Sequence, residues 1–156
     1  MSRVALMSIR PKHAEAILDG RKTTELRKRL LADDINVVLL YATKPVGMIV
    51  GAFHIDFQHS GPLTRVMEMH VRRAAVTRDE FRRYYLGHAR HRARGQQAYA
   101  IGIRDTHRFP TPIPLDYIRP GLRAPQSWLY LVGEELAPLY IGAPPDWLTD
   151  ALWGET

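Results

Sequence analysis

A chain of 156 residues with 46% hydrophobic side chains is long enough to close one sizeable core and too short for two. It has no cysteine, which excludes a disulfide framework, a thiolate nucleophile and Cys-ligated zinc, so its chemistry rests on Lys, His, Glu, Asp, Ser, Thr and Tyr. Lys and Arg number 22 against 16 Asp and Glu, a formal charge of +6 that favours acidic partners, and neither a long apolar run nor a secretory signal pattern appears, so a cytoplasmic protein without membrane attachment is expected.

Residues 4–9 are apolar on both faces, as in a buried strand. Pro11 suits a first helical position, Ala14, Ile17 and Leu18 form an i, i+3, i+4 stripe, and Gly20 is a natural stop. Residues 23–27 alternate polar and apolar and predict a short, unusually charged strand. Residues 35–43 read as a second buried strand, and Pro45-Val46-Gly47 as a turn into residues 48–57. There Ile49, Gly51, Phe53, Ile55 and Phe57 are expected on one face, and the two strands are expected to pair antiparallel. After the Ser60-Gly61-Pro62 break, Thr77-Arg78-Asp79-Glu80 has the form of a capping box, with Val76 and Phe81 placed for a hydrophobic staple. The helix it opens carries Phe81, Tyr84, Tyr85 and His88 on one stripe and Arg82, Arg83 and Arg90 elsewhere. Residues 98–104 form another strand, with Tyr99, Ile101 and Ile103 together. Five prolines in residues 109–125 predict extended loop, residues 128–132 a last strand, and residues 146–153 a short helix whose Trp147 and Trp153 need a surface to lie on.

The densest polar cluster is Gly20-Arg21-Lys22-Thr23-Thr24-Glu25-Leu26-Arg27-Lys28-Arg29. A strand leaving a glycine turn can bring an ammonium, a hydroxyl and a carboxylate together to hold a phosphate or a base edge. The alternative is a charged edge strand protected against aggregation. Arg10 and Lys12, at the start of the first helix, are placed to meet an anion. The seven histidines give no metal-ligand set: His88 and His91 are helically spaced but lack an acidic companion among many arginines, and His54 and His70 read as packed core histidines. Tyr84 and Tyr85 either stack bases or anchor their helix, and Trp128 is either a stacking platform or a core plug.

Residues 8–29, a strand, a helix ending in Gly-x-Lys and a strand carrying Glu25-Leu26-Arg27, closely resemble the opening signature of ASCH domains. Tyr41-Ala42-Thr43 with Pro45-Val46 and Ile49-Val50-Gly51 resembles that family's central hairpin, Ala98-Tyr99-Ala100-Ile101 its later strand, and Ala124-Pro125-Gln126-Ser127-Trp128 its closing element. The resemblance covers roughly residues 3–132 and implies a PUA-like fold, a small β-barrel with helices on its rim and a cleft at the Gly-x-Lys turn. It also implies an association with RNA, some members hydrolysing acetylated cytidine or cleaving single-stranded RNA. The family lysine falls on Lys22. Where the amidohydrolase branch has a threonine this chain has Glu25, and where many members have a lysine after Pro-Val it has Gly47.

The combined expectation is an α+β protein with an ASCH domain over residues 1–132 and an extension over residues 133–156 that packs on the domain or on a partner. Arg10, Lys12, Lys22, Thr23, Thr24, Glu25, Arg27, Tyr41, Gln126, Ser127 and Trp128 are expected to line a site for RNA or a nucleotide, with DNA a further candidate. Arg82, Arg83 and Arg90 are expected to form an electrostatic rim. No cofactor or metal is expected. In the alternative reading the chain is a hydrolase of a modified nucleoside or a ribonuclease, with Lys22 and Glu25 as its catalytic pair.

Overall fold

The computed structural model describes residues 3–87, 95–140 and 145–153, with the side chains of residues 150–153 left out. Its strands are β1 (Arg3–Ile9), β2 (Thr24–Arg27), β3 (Val37–Ala42), β4 (Met48–Pro62), β5 (Gln97–Ile113) and β6 (Trp128–Val132). Its helices are α1 (Pro11–Leu18), α2 (Leu63–His70), α3 (Arg78–Leu86) and α4 (Asp146–Trp153). The architecture is α+β: one six-stranded mixed sheet in the order β2-β5-β4-β3-β1-β6, with β1 and β3 parallel and every other pair antiparallel. Among the described residues no backbone register joins β2 to β6, so strand pairing does not close the sheet into the barrel expected from the sequence.

Alternation along β1 and β3 sorts the core into two layers. Ala5, Met7 and Ile9 join Val38, Leu40 and Ala42 on one face, where Ile17 of α1 and Phe53 complete the cluster. Val4, Leu6, Val37, Leu39 and Tyr41 face the other side with Leu131 and Leu148. A third cluster, with Leu26, Val66, Met67, Phe81 and Tyr85, seats α2 and α3 against β2 and β5.

Local signals hold at both helix starts that border the cleft described below. Pro11 opens α1, and Gly20, at φ +87°, follows its end. Thr77 accepts from the Glu80 N–H at 3.0 Å while Glu80 accepts from the Thr77 N–H at 3.2 Å, and Val76 packs against the cluster holding Phe81.

Three expectations are corrected. The shared face assigned to alternate residues of 49–57 does not exist, because β4 carries an extra residue opposite β3, where Leu40 pairs with Gly51 and Tyr41 with Ile49, and this changes its parity between Ile49 and Gly51. Ile49 consequently packs in the second cluster and Phe53 in the first. The extended loop expected over residues 109–125 is strand as far as Ile113, and Pro110 and Pro112 are accommodated because β2 pairs only with Tyr99–Gly102, leaving that side of β5 without a ladder partner. The stretch after Pro62, in which no element was expected, is the helix α2.

Trp147 lies against His107 and Phe109, with ring centroids 6.0 and 5.4 Å away, and the neighbouring Leu148 is fully buried. No helix among the described residues is long and apolar enough to cross a membrane. Arg90, His88, His91 and the side chain of Trp153 lie outside the described residues.

Candidate functional site

A cleft of about 710 Å³ opens between the start of α1, β2 and α3. Its walls include Ser8, Ile9, Arg10, Lys12 and His13 on one side and Glu80, Phe81, Arg83 and Tyr84 on the other, with Lys22, Glu25, Leu26, Arg27 and Gln126 between them.

Lys22 enters this cleft from the turn that ends α1. Its N–H donates to the Ala16 carbonyl at 2.9 Å, and the N–H groups of Thr23 and Thr24 donate to the Arg73 carbonyl at 2.8 and 3.0 Å. The chain is thereby held so that the Lys22 side chain runs inward, with only 2% of its surface exposed. Its ammonium donates to the Ala74 carbonyl at 2.6 Å and lies 3.5 Å from Glu25 Oε1. Burial pulls the Lys22 pKa below its ordinary value, and Glu25 opposes that shift.

Glu25 is the hub. Oε1 accepts from the Leu26 N–H at 3.1 Å, and Oε2 accepts from Arg27 Nη2 at 3.0 Å. Burial pushes the carboxyl pKa up, but Arg27 and Lys22 together outweigh burial and hold it below the usual carboxylate range. Arg27 in turn donates to the Ser8 carbonyl at 2.8 Å and to Ser127 Oγ at 3.3 Å. Ser8 adds bonds from its N–H to the Ser127 carbonyl at 2.9 Å and from its Oγ to the Pro125 carbonyl at 2.6 Å. Two cations thus flank one carboxylate whose side chain is largely out of solvent, a fixed array suited to a polar, anionic ligand.

Not every expected residue reaches the cleft. Arg10, Lys12, Lys22, Glu25, Arg27 and Gln126 line it, and Ser127 touches it through Arg27. Thr23 and Thr24 serve the turn instead: Thr24 is fully buried, and no hydrogen-bond partner among the described residues reaches its Oγ1. Tyr41 is buried in the second core cluster, and a Cβ placed on Gly47 would stand 3.7 Å from its hydroxyl. Trp128 is a core residue: its indole N–H donates to Tyr130 Oη at 3.2 Å, and Arg29 covers its ring at 4.2 Å. Arg82 is exposed on α3 outside the cleft wall, whereas Arg83 lines the wall and pairs with Asp79 at 3.1 Å.

Sequence reasoning did not select His13 or Ser8. His13 is in the first turn of α1, where its ring lines the cleft, and burial together with the Lys22 charge lowers its pKa. Its position two residues after Pro11 was the available signal, since side chains of a first helical turn beside a ligand cleft are well placed to face it.

No family model matches the chain. A curated relative, an ASCH domain-containing ribonuclease from Zymomonas mobilis, is 30% identical over 139 residues, which span 86% of this chain and 88% of the relative. The crystal structure of ASCH from Zymomonas mobilis superposes with a TM-score of 0.77 at 29% identity, covering 87% of this chain and 92% of that one. A tyrosine-to-phenylalanine variant of the Zymomonas mobilis protein gives 0.77 at 28% identity, covering 87% and 95%. Its serine-to-alanine variant gives 0.75 at 29%, covering 87% and 93%. Likeness of sequence and of backbone over nearly the same share of both chains places this protein in the ASCH family.

Proposed function

We propose that this protein binds single-stranded RNA, taking one unstacked nucleotide into the cleft against the Lys22, Glu25 and Arg27 floor. The observation that carries this reading is the Glu25 carboxylate held between buried Lys22 and half-buried Arg27, beside exposed Arg10 and Lys12. Such an array presents one acceptor and several donors in fixed positions, which suits the edge of a base freed from its stack. Exposed basic side chains around the mouth supply phosphate contacts. A cleft of about 710 Å³ lies within the range of small-ligand sites, and a duplex could not enter it. The C-terminal segment from residue 133 is proposed to complete the domain by covering its second core cluster. Closure of the sheet into a PUA-like barrel by side-chain bridges such as Arg27 to Ser8 belongs to the same reading.

Cleavage of the bound strand is the second reading, favoured by the ribonuclease name of the Zymomonas mobilis relative. In that reaction the ribose 2′-hydroxyl attacks the adjacent phosphorus, its proton passes to a base, and the 5′-oxygen leaves with a proton from an acid. Glu25 is a poor base because both its oxygens are already engaged by Leu26, Lys22 and Arg27, whereas His13 lines the same cleft and burial favours its neutral, proton-accepting form. Arg27 or Arg10 would then stabilise charge on the phosphoryl oxygens.

Incubating the protein with a labelled single-stranded RNA, scored for retention and for product, tests both readings. Retention without product, weakened in Lys22→Ala by about 1–3 kcal/mol, is the binder's pattern. Product formation that falls about a hundredfold or more in His13→Ala while retention survives would promote the ribonuclease. Absence of retention in the wild type would end the RNA reading.

A further inference from the structure

The three aromatic residues of α3 do not share one role. Phe81 is fully buried and Tyr85 is 8% exposed, but Tyr84, on the same helix, is 39% exposed and lines the cleft. Tyr85 has its hydroxyl engaged within the fold, 2.9 Å from the Arg27 carbonyl and 3.1 Å from that of Tyr99. Anchoring α3 is therefore accomplished by Phe81 and Tyr85, in mutual ring contact at 5.2 Å.

Tyr84 is nonetheless fixed. Its ring meets that of Tyr85 edge to face, at 4.8 Å between centroids and 80° between planes. Lys28 Nζ stands 5.3 Å from its centroid, and Arg83, the preceding residue, lines the same wall. An aromatic surface packed on a buried neighbour at the lip of a polar cleft, with exposed Lys28 and with exposed Arg83, itself paired with Asp79 at 3.1 Å, beside it, has the composition of a single-strand subsite: a face for a base and charges for the flanking phosphate.

We infer that Tyr84 is a stacking platform for the base next to the nucleotide held in the cleft, with Lys28 and Arg83 contacting the phosphate that joins the two. This rests on the RNA reading above and deepens it: the site takes an oligonucleotide of at least two units and discriminates by single-strandedness. Stacking uses the π-face that every base has, so the second position tolerates any base and gains most from purines. Lys28 leaves the ring for the phosphate when the base arrives, a short excursion for a flexible four-carbon stem.

The test compares wild type, Tyr84→Ala and Tyr84→Phe for binding of adenosine monophosphate and of the RNA trinucleotide AAA, across a range of salt. Wild type should bind the trinucleotide more tightly than the mononucleotide. Tyr84→Ala should lose about five- to a hundredfold in trinucleotide affinity, lose markedly less for the mononucleotide and keep the salt slope, because the lost ring carries no charge. Tyr84→Phe should bind as wild type does. Equal losses for both probes in Tyr84→Ala, or no loss for either, would overturn the subsite while leaving the RNA reading standing. Wild type that binds neither probe would overturn the RNA reading and the subsite with it.

Discussion

Arg27 and Ser8 belong to strands that never pair, yet the Arg27 guanidinium donates to the Ser8 carbonyl at 2.8 Å. The same guanidinium reaches Glu25 at 3.0 Å and Ser127 at 3.3 Å, so one side chain ties β2 to β1 and to the segment that enters β6. Arg27→Lys keeps the charge but cannot make the three contacts at once, since an ammonium lacks the planar fork. A loss of about 2–4 kcal/mol in urea unfolding is expected. A loss below about 0.5 kcal/mol would show the bridge to be idle.

The buried ion pairs should not be equal in cost. Lys22→Met leaves Glu25 with Arg27 and fills a similar volume, so a loss of about 1–2 kcal/mol is expected. Glu25→Gln leaves buried Lys22 and half-buried Arg27 without their anion and should cost about 3–5 kcal/mol. Chemical denaturation of the two variants checks the order, and a Lys22→Met variant less stable than Glu25→Gln would reverse the assignment of Glu25 as hub.

Arg82 and Arg83 are exposed on α3, and Arg90 follows that helix in sequence. Replacing all three by alanine should weaken single-stranded RNA binding and lower the salt slope by about 0.7 for each phosphate that is no longer neutralised. Folding stability should move little, because exposed pairs such as Arg83 with Asp79 contribute at most about 1 kcal/mol. An unchanged slope would remove α3 from the interface.

Acid should destabilise the fold before its carboxylates titrate. Burial, with His59 and Arg73 adding to it, lowers the pKa of His70, and burial with Lys22 lowers that of His13. Between the unfolded value near 6.5 and each lowered native value the unfolded chain binds more protons, so stability falls as pH drops through that window and then levels. His70 Nε2 lies 3.0 Å from His59 Nδ1, and its ring stacks on Phe57 at 5.4 Å, so protonation would have to be accommodated in a packed site. Melting temperature should decline from pH 7 to pH 5, less steeply in His70→Gln. Parallel profiles for variant and wild type would clear His70 of that role.

Much of the frame was legible because its signals are local. The Gly20 stop, the Thr77 and Glu80 capping box and the antiparallel β3 and β4 pair each depend on residues within a short window. The parity of β4 was not legible, since the extra residue opposite Leu40 and Tyr41 answers to the partner strand and leaves no mark in the alternation. At the site, Gly20 followed by a charged strand led to Lys22, Glu25 and Arg27, whose neighbours in sequence are their neighbours in space. Burial of Lys22 was hidden, because the carbonyl that accepts from it belongs to a residue 52 positions away. Tyr41 and Trp128 pack in the core clusters rather than along this cleft, and strand alternation does not say which face of a two-layered sheet meets it.

The turn after α2 holds the cleft floor through main-chain oxygens alone: Arg73 offers its carbonyl to Thr23 and Thr24, and Ala74 offers its own to Lys22. A carbonyl is present whatever residue carries it, so the site is insulated from side-chain replacement along this turn. Arg72 and Arg73 are exposed and can change to other residues with the Lys22 seat intact. Ala74, fully buried, can change only within the limits of size. Drift in surface charge along this turn is thereby uncoupled from the geometry of the floor, and the electrostatic surroundings of the cleft can be retuned without rebuilding the pocket itself.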